Sequence, residues 1–275
     1  MSHPFEIAGG TVTGQAHAGA GRNNQDAYCW ASTEEGLIAV VCDGCGSGLH
    51  NEVGAHLGAR LTVQAIARLL PSNLEIAELL EQVRQDVLER LRLLATEISF
   101  PPRISSEPTV RASFSRTVSE YFLFTIVGLV ATSARATLFS VGDGLIVING
   151  DRHRLGPFPN NEPPYIGYAL LPAASACGTG EHSAFRIHGS LPVDGIRSLL
   201  IGTDGAADLD AMADHELHGR EERIGLLSQF WTDDRVSRNS DMVRRRLTVM
   251  NRGPRGGLLS DDTTLVVVRR KALEA

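Results

Sequence analysis

Lysine is all but missing from this chain. Lys271 is the one lysine, and every other basic charge apart from histidine is arginine. A strand lysine on ATP phosphates, a G-K-[ST] phosphate loop and a Schiff-base lysine are all excluded, because none can be built from a single residue at position 271. Cysteine is scarce as well. Cys29, Cys42, Cys45 and Cys177 are too few and too irregularly spaced for a disulfide framework. Cys42-x-x-Cys45 lacks a second Cys/His pair at ligand spacing, so a zinc site is not expected. Long apolar runs are absent: the longest, Tyr121 to Ala134, falls short of the ~20 residues that span a bilayer. Met1 to Glu6 show neither the basic nor the apolar region of a secretory leader. A reduced, cytoplasmic protein away from membranes is the expectation. Positive charge is also in deficit, with 26 Lys+Arg against 32 Asp+Glu and a net charge of −6, which argues against a nucleic-acid partner.

What is present suits a globular fold. Hydrophobic residues at 43% of 275 positions are enough to bury a sizeable core. Leu37 to Cys42 form a continuous apolar run ended by Asp43-Gly44, the pattern of a buried strand. Val53, Leu57, Leu61, Ala65 and Leu69 then mark a helix, stopped near Pro71. Ser72-x-x-Glu75 has the form of a capping box before a second stripe, Ile76 to Ile98, so an antiparallel helix pair is expected. Ser, Pro and Arg up to about Thr117 predict a loop, and a β pattern holds from Tyr121 to Asn149. Residues 151 to 183 predict a long surface excursion. Strands are expected at Ala184–His188 and Ile196–Thr203, helices around Ile224–Trp231 and Val243–Met250, and a last strand at Leu265–Val268. This order favours antiparallel sheets with helices packed outside, in one domain.

Asp-Gly occurs at 43–44, 143–144, 194–195 and 204–205. A hairpin turn is the ordinary reading, and it suffices for Asp194 and largely for Asp143. It fails for Asp43 and Asp204, which are followed by glycine-rich or helical sequence instead of a returning strand. An acid beside a glycine at a strand end lets carboxylate and backbone both approach a ligand. Asp261-Asp262, just before the last strand, is a third such position. If these acids converge, two carboxylates ~5 Å apart at an effective dielectric of about 20 repel by roughly 3 kcal/mol. A hard divalent cation such as Mg²⁺ or Mn²⁺ offsets that repulsion.

In chain order the sequence reads Gly14-Gln15-Ala16-His17 leading to Asn24-Gln25-Asp26-Ala27, then Val41-Cys42-Asp43-Gly44-Cys45-Gly46-Ser47-Gly48, Val141-Gly142-Asp143-Gly144, Ile201-Gly202-Thr203-Asp204-Gly205 and Asp261-Asp262-Thr263-Thr264. This order resembles the metal-dependent type 2C (PPM) protein phosphatases, in particular their divergent bacterial branch. The family's usual forms are R-x-x-N-E-D, D-G-x-G, G-D-S-R, S-D-G and D-N-x-T. The resemblance implies an α+β fold, a PPM-type α-β-β-α sandwich of two antiparallel sheets flanked by antiparallel helix pairs. It fills one domain over residues 5–270, with a tail at 271–275. It further implies a serine/threonine phosphoprotein phosphatase that cleaves phosphomonoesters by attack of a metal-bound hydroxide. Carried over residue by residue, Asp43 bridges two Mn²⁺ or Mg²⁺ ions and Asp204 and Asp261 hold the first. The Gly44 carbonyl and Gln25 serve the second, and Asp143 corresponds to a weaker third position. The implied partner is a protein bearing phosphoserine or phosphothreonine, with room for a cognate kinase and none for nucleic acid or membrane.

Three residues depart from the family pattern. Gln25 replaces a metal-binding glutamate, so the second ion is expected to bind more weakly. Cys45 stands where a histidine often follows Asp-Gly, leaving His17 or His50 as a substitute proton donor. Arg22 lies two residues before Asn24, not three, though arginine suits bidentate phosphate binding. The expected catalytic set is therefore Asp43, Arg22 and His17. Gln25 and Cys45 also support an alternative: a pseudophosphatase that keeps the fold and binds partners without turnover. A dinucleotide site at Gly44-x-Gly46-x-Gly48 is disfavoured, since the spacing is not G-x-G-x-x-G and Asp43 would face a pyrophosphate.

Overall fold

Short runs of β-branched and apolar residues build two antiparallel sheets in a computed structural model that describes residues 3–99, 107–172, 183–253 and 257–271. β1 (Phe5–Val12) leads through the short helix α1 (Gln15–Gly19) to β2 (Asp26–Ser32) and β3 (Gly36–Asp43). Three helices follow: α2 (Asn51–Leu69), α3 (Ile76–Ile98) and α4 (Glu107–Tyr121). Next come β4 (Ile126–Thr132), β5 (Arg135–Val141), β6 (Gly144–Ile148), β7 (Asp151–Leu155), β8 (Arg186–Pro192) and β9 (Ser198–Gly202). The short helices α5 (Asp204–Ala207), α6 (Gln229–Thr232) and α7 (Asp234–Arg238) precede α8 (Met242–Met250) and β10 (Thr263–Arg270). One sheet has the order β1-β10-β9-β6-β7 and the other β2-β3-β4-β5-β8.

The period of two along each strand divides the core into three layers. Leu37, Ala39 and Val41 of β3 meet Leu199, Ile201, Val266 and Val268 between the sheets. Ile38, Val40 and Cys42, on the opposite face of β3, pack with Ala55, Ile66, Leu80 and Val83 of α2 and α3. Leu200, Leu265 and Val267 on the far face of the other sheet pack with Val243, Leu247 and Met250 of α8. The central strands β3, β4, β9 and β10 are thus covered on both faces, which is why they read as near-continuous apolar runs, while the edge strands β7 and β8 do not. This is the expected α-β-β-α sandwich. α2 lies so close to the chain after α4 that a Cβ at Gly54 would fall on the Tyr121 carbonyl oxygen. No described helix is long and apolar enough to cross a membrane.

Several local expectations are corrected. The Ser/Pro/Arg-rich stretch read as a loop to Thr117 is, from Glu107 on, the helix α4; only Thr117 and Val118 of it are buried, too narrow a stripe to show as a period. Residues 151 to 183 are not all surface excursion: β7 pairs with β6, and Tyr165, Ile166 and Leu170 are buried against the α2/α3 side. The Ser72/Glu75 capping box does not form, because α3 starts at Ile76 with Glu75 in the capping position and no side-chain cap. Of the stripe Ile224, Leu227 and Trp231, only Trp231 falls in a helix; Ile224 and Leu227 are buried from irregular chain before α6. Neither Asp143-Gly144 nor Asp194-Gly195 turns a hairpin. β5 and β8 belong to one sheet while β6 and β9 belong to the other, so both dipeptides carry the chain between sheets. Cys177 lies outside the described residues.

Candidate active site

The alternation that buries β3 also aims its last residue. Leu37, Ala39 and Val41 face the space between the sheets, so Asp43, two positions on, faces the same way at its open end. In the β2–β3 ladder Asp26 lies directly opposite Asp43, and paired residues share a face. The Thr125 N–H donates to the Asp43 carbonyl at 2.8 Å, which fixes the start of β4 beside it. Asp143 follows β5 between Gly142 (φ +91°) and Gly144 (φ +138°), values that favour glycine and sharply redirect the chain at the sheet-to-sheet crossing. Asp204 opens α5 directly after β9, and Asp261-Asp262 precede β10, whose Leu265 pairs with Gly202. These strand ends all meet at one end of the sandwich.

Their charges act on one another. Burial, and then Asp26, Asp204, Asp143 and Asp261, push the Asp43 carboxyl well above the usual carboxylate range. Burial first, then Asp262 and Asp204, raise Asp26, while the Thr203 hydroxyl, donating to Asp26 Oδ2 at 2.7 Å, pulls the other way. Asp204 is raised by burial and by Asp261. Asp143 is pushed up to about 6 by burial and by Asp204. The expected acids Asp43, Asp143, Asp204 and Asp261 are therefore neighbours.

Asp262 ties the first motif to the last. Its side chain is 2% exposed and accepts from the Gly14 N–H at 2.7 Å, the Gln25 N–H at 2.5 Å and His17 Nδ1 at 2.8 Å. Ligand atoms of His17, Asp261 and Asp262 all lie within 4.8 Å of one another. Gln25 is buried, its carbonyl accepts from the Gly44 N–H at 3.0 Å, and its side-chain Oε1 has no partner among the described residues. A Cβ at Gly44 would approach the Asn51 and Gln25 carbonyl oxygens to 2.8 and 2.9 Å, so this position requires glycine. Arg22 reaches the same loop, donating through Nη1 to the Gly46 carbonyl at 2.8 Å and through Nη2 to that of Gly48 at 2.5 Å. Its guanidinium thus shapes the loop. Cys45 Sγ lies 3.1 Å from Ser47 Oγ, and the Cys45 carbonyl accepts from Asn51 Nδ2 at 2.9 Å. His50 instead stacks at a tilt on Tyr121, with ring centroids 4.8 Å apart.

Sequence reasoning gave no role to two residues of this centre, Asp26 and Asn51, and named Asp262 only as the neighbour of Asp261. Asp26 stands inside a quoted motif, but its burial follows from strand register, and the burial of Asp262 follows from its contacts with Gly14, Gln25 and His17. Asn51 is fully buried and donates to the Cys45 carbonyl of the 44–48 loop while its Oδ1 accepts from the Leu123 N–H at 3.3 Å.

Residues 13–239 match the family profile described as protein phosphatase 2C. Among solved structures the chain is similar to the serine/threonine phosphatase Stp1 from Staphylococcus aureus, with a TM-score of 0.53 and 14% identity over 98% of this chain and 96% of that one. The S. agalactiae serine/threonine phosphatase gives a TM-score of 0.52 and 18% identity over 97% and 100% of the two chains. The catalytic domain of the serine threonine protein phosphatase PstP, in complex with 2 manganese ions, gives 0.51 and 15% over 96% and 97%. At these identities the likeness is one of fold. No curated protein matches.

Proposed function

The chain belongs to the protein phosphatase 2C family, and from that premise we propose that it hydrolyses phosphoserine and phosphothreonine esters of proteins with Mn²⁺ or Mg²⁺ as cofactor, residues 5–270 forming its single domain. The observation that carries this reading is the meeting of Asp43, Asp143, Asp204 and Asp261 at one end of the sandwich with their repulsion unrelieved. Hard cations fit this donor set: it consists of oxygens, and it includes the orphaned, buried Gln25 Oε1. Asp43 would serve both ions, Asp204 and Asp261 one, and the Gly44 carbonyl with Gln25 the other, leaving Asp143 for a third. When bound, such ions lower the pKa of water and neutralise phosphoryl charge. Arg22 holds the 44–48 loop in the shape that presents Gly44. Asp262 accepts from His17 Nδ1 and so directs Nε2 outward, where it can give a proton to the departing serine or threonine oxygen.

The test is release of phosphate from a phosphothreonine peptide: activity is abolished by EDTA and restored by Mn²⁺ or Mg²⁺. The pseudophosphatase reading is favoured by Gln25 and Cys45. No turnover in a protein that still binds Mn²⁺ by calorimetry would establish it instead.

A second expected result concerns Gln25. Its carboxamide oxygen brings no formal charge, whereas a glutamate would add one in contact with the ion. Repulsion from neighbouring acids opposes part of that gain. Gln25→Glu should lower the Mn²⁺ concentration for half-maximal activity roughly tenfold, or ~1.4 kcal/mol. An unchanged midpoint, by activity and by calorimetry, would remove Gln25 from the ion.

A further inference from the structure

A cleft of about 410 Å³ opens beside the acidic centre, and the described residues that line it include no carboxylate. It is lined by His153 and Arg154 of β7 and by Arg186 and His188 of β8, along with Gly142 and Gly156. β7 and β8 are the edge strands of the two different sheets, so the cleft lies between the sheet edges on the side where Asp143 projects. Gly142 precedes Asp143 in sequence, and a Cβ at Gly156 would lie 3.4 Å from the Asp143 Cβ. Cleft and acid therefore share two walls.

The cations here are available. Arg186 is exposed and makes no ion pair with a described residue. Arg154 Nη1 meets Asp208 at 3.1 Å, but the two side chains are 52% and 55% exposed, so water screens the pair and a competing anion can displace it. His188 is held by Ser140 Oγ at 2.8 Å, and burial, then Arg186 and His153, keep its pKa below the ordinary value, so the positive charge of the cleft rests on Arg154 and Arg186. In a chain of net charge −6, a basic cleft against an acidic centre is a local reversal of sign.

Resting on the phosphatase reading, we propose that this cleft binds a carboxylate side chain of the substrate, an aspartate or glutamate a few residues from the phosphorylated one, and so makes acidic flanks a determinant of substrate choice. An extended peptide advances ~3.3 Å per residue, so a phosphoryl group at the acidic centre leaves a flanking side chain two to four positions away within reach of the cleft.

The experiment measures KM and kcat of the full chain with Mn²⁺ on phosphothreonine peptides flanked on either side by Glu, Ala or Lys, and on one with phosphoserine in place of Glu. For wild type, KM on the Glu peptide should be roughly tenfold below that on the Ala peptide and lower still relative to Lys. Arg186→Glu should erase or invert that order while leaving kcat on the Ala peptide unchanged. Equal KM values across the set, or an order indifferent to Arg186→Glu, would overturn the proposal. A preference for phosphoserine over Glu of more than tenfold would also overturn it, in favour of a second phosphate. If no peptide is turned over, the phosphatase reading fails by itself. Fluorescence anisotropy of the labelled peptides, with wild type and Arg186→Glu, then decides the cleft: a Glu preference lost in the variant supports it, and binding indifferent to peptide charge overturns it.

Discussion

Asp43→Asn should lower phosphopeptide turnover roughly 10³-fold at saturating Mn²⁺, about 4 kcal/mol of activation free energy, and yet raise the melting temperature of the metal-free protein. Both effects come from one charge. With metal, Asp43 would be the carboxylate that serves both ions of the proposed site, and an amide of the same shape would not supply its charge. Without metal, the same carboxylate is buried and faces Asp26, Asp204, Asp143 and Asp261. Replacing it removes four repulsions at nearly constant volume. Opposite signs distinguish this outcome from ordinary damage, which lowers activity and stability together. The measurements are steady-state kinetics and thermal melts in EDTA. Turnover near that of wild type, or a lower metal-free melting temperature, would contradict the placement of Asp43 at the centre of the charge cluster.

A second large effect is a pH-dependent cost of Asp143 in the metal-free protein. Its carboxyl is raised from 3.8 to about 6, by burial and then by Asp204. Below pH 3.8 it is protonated whether the chain is folded or unfolded, and its charge costs the fold nothing. Between there and about 6 the unfolded carboxyl ionises first, the folded state binds more protons, and stability falls as pH rises. The loss reaches roughly 3 kcal/mol and is then constant. Asp143→Asn escapes it. In EDTA the variant should melt with wild type near pH 4 and about 6–12 °C above it at pH 7. Saturating Mn²⁺ should shrink the gap. A difference independent of pH would mean that Asp143 titrates as it does in water.

Asp43, Asp204 and Asp261 stood out because each lies beside a strand end with a glycine or a second aspartate, a local signal, whereas Asp143 entered the proposed set only through the family resemblance. Which sheet the next strand joins was not. Asp143-Gly144 and Asp194-Gly195 fit a tight hairpin as dipeptides, and only the pairing of β6 and β9 within the other sheet shows them as crossings. Asp26 shows the same limit, because its place opposite Asp43 needs the β2–β3 register, and Tyr28, Cys29 and Trp30 alternate too weakly to announce a strand. The helix α2 buries chiefly Gly54, Ala55, Gly58, Ala59, Thr62, Val63 and Ile66, and of the stripe read for it only Ala65 is fully buried, whereas α3 declared itself through an apolar stripe that the core requires. α4 did not, since a helix that rests on a finished core needs only a few apolar contacts.

β10 lies between β1 and β9, and Asp262 beside it reaches back across 248 residues to Gly14. This arrangement orders events during translation. Residues 5–12 leave the ribosome long before residues 263–270 but find no partner in their sheet until those have been made. Contacts so distant in sequence form late, because the intervening chain must already be gathered. The seam of the sheet and the clamp on the first motif therefore close together as the final act of folding. A nascent chain interrupted after α8 would have neither Asp261 nor Asp262, and β1 would remain an unpaired edge open to other strands. The acidic cluster at the end of the sandwich is thus complete only once residues 261–270 have been made, and a shorter nascent chain carries Asp43, Asp143 and Asp204 without the residues that close the centre around them.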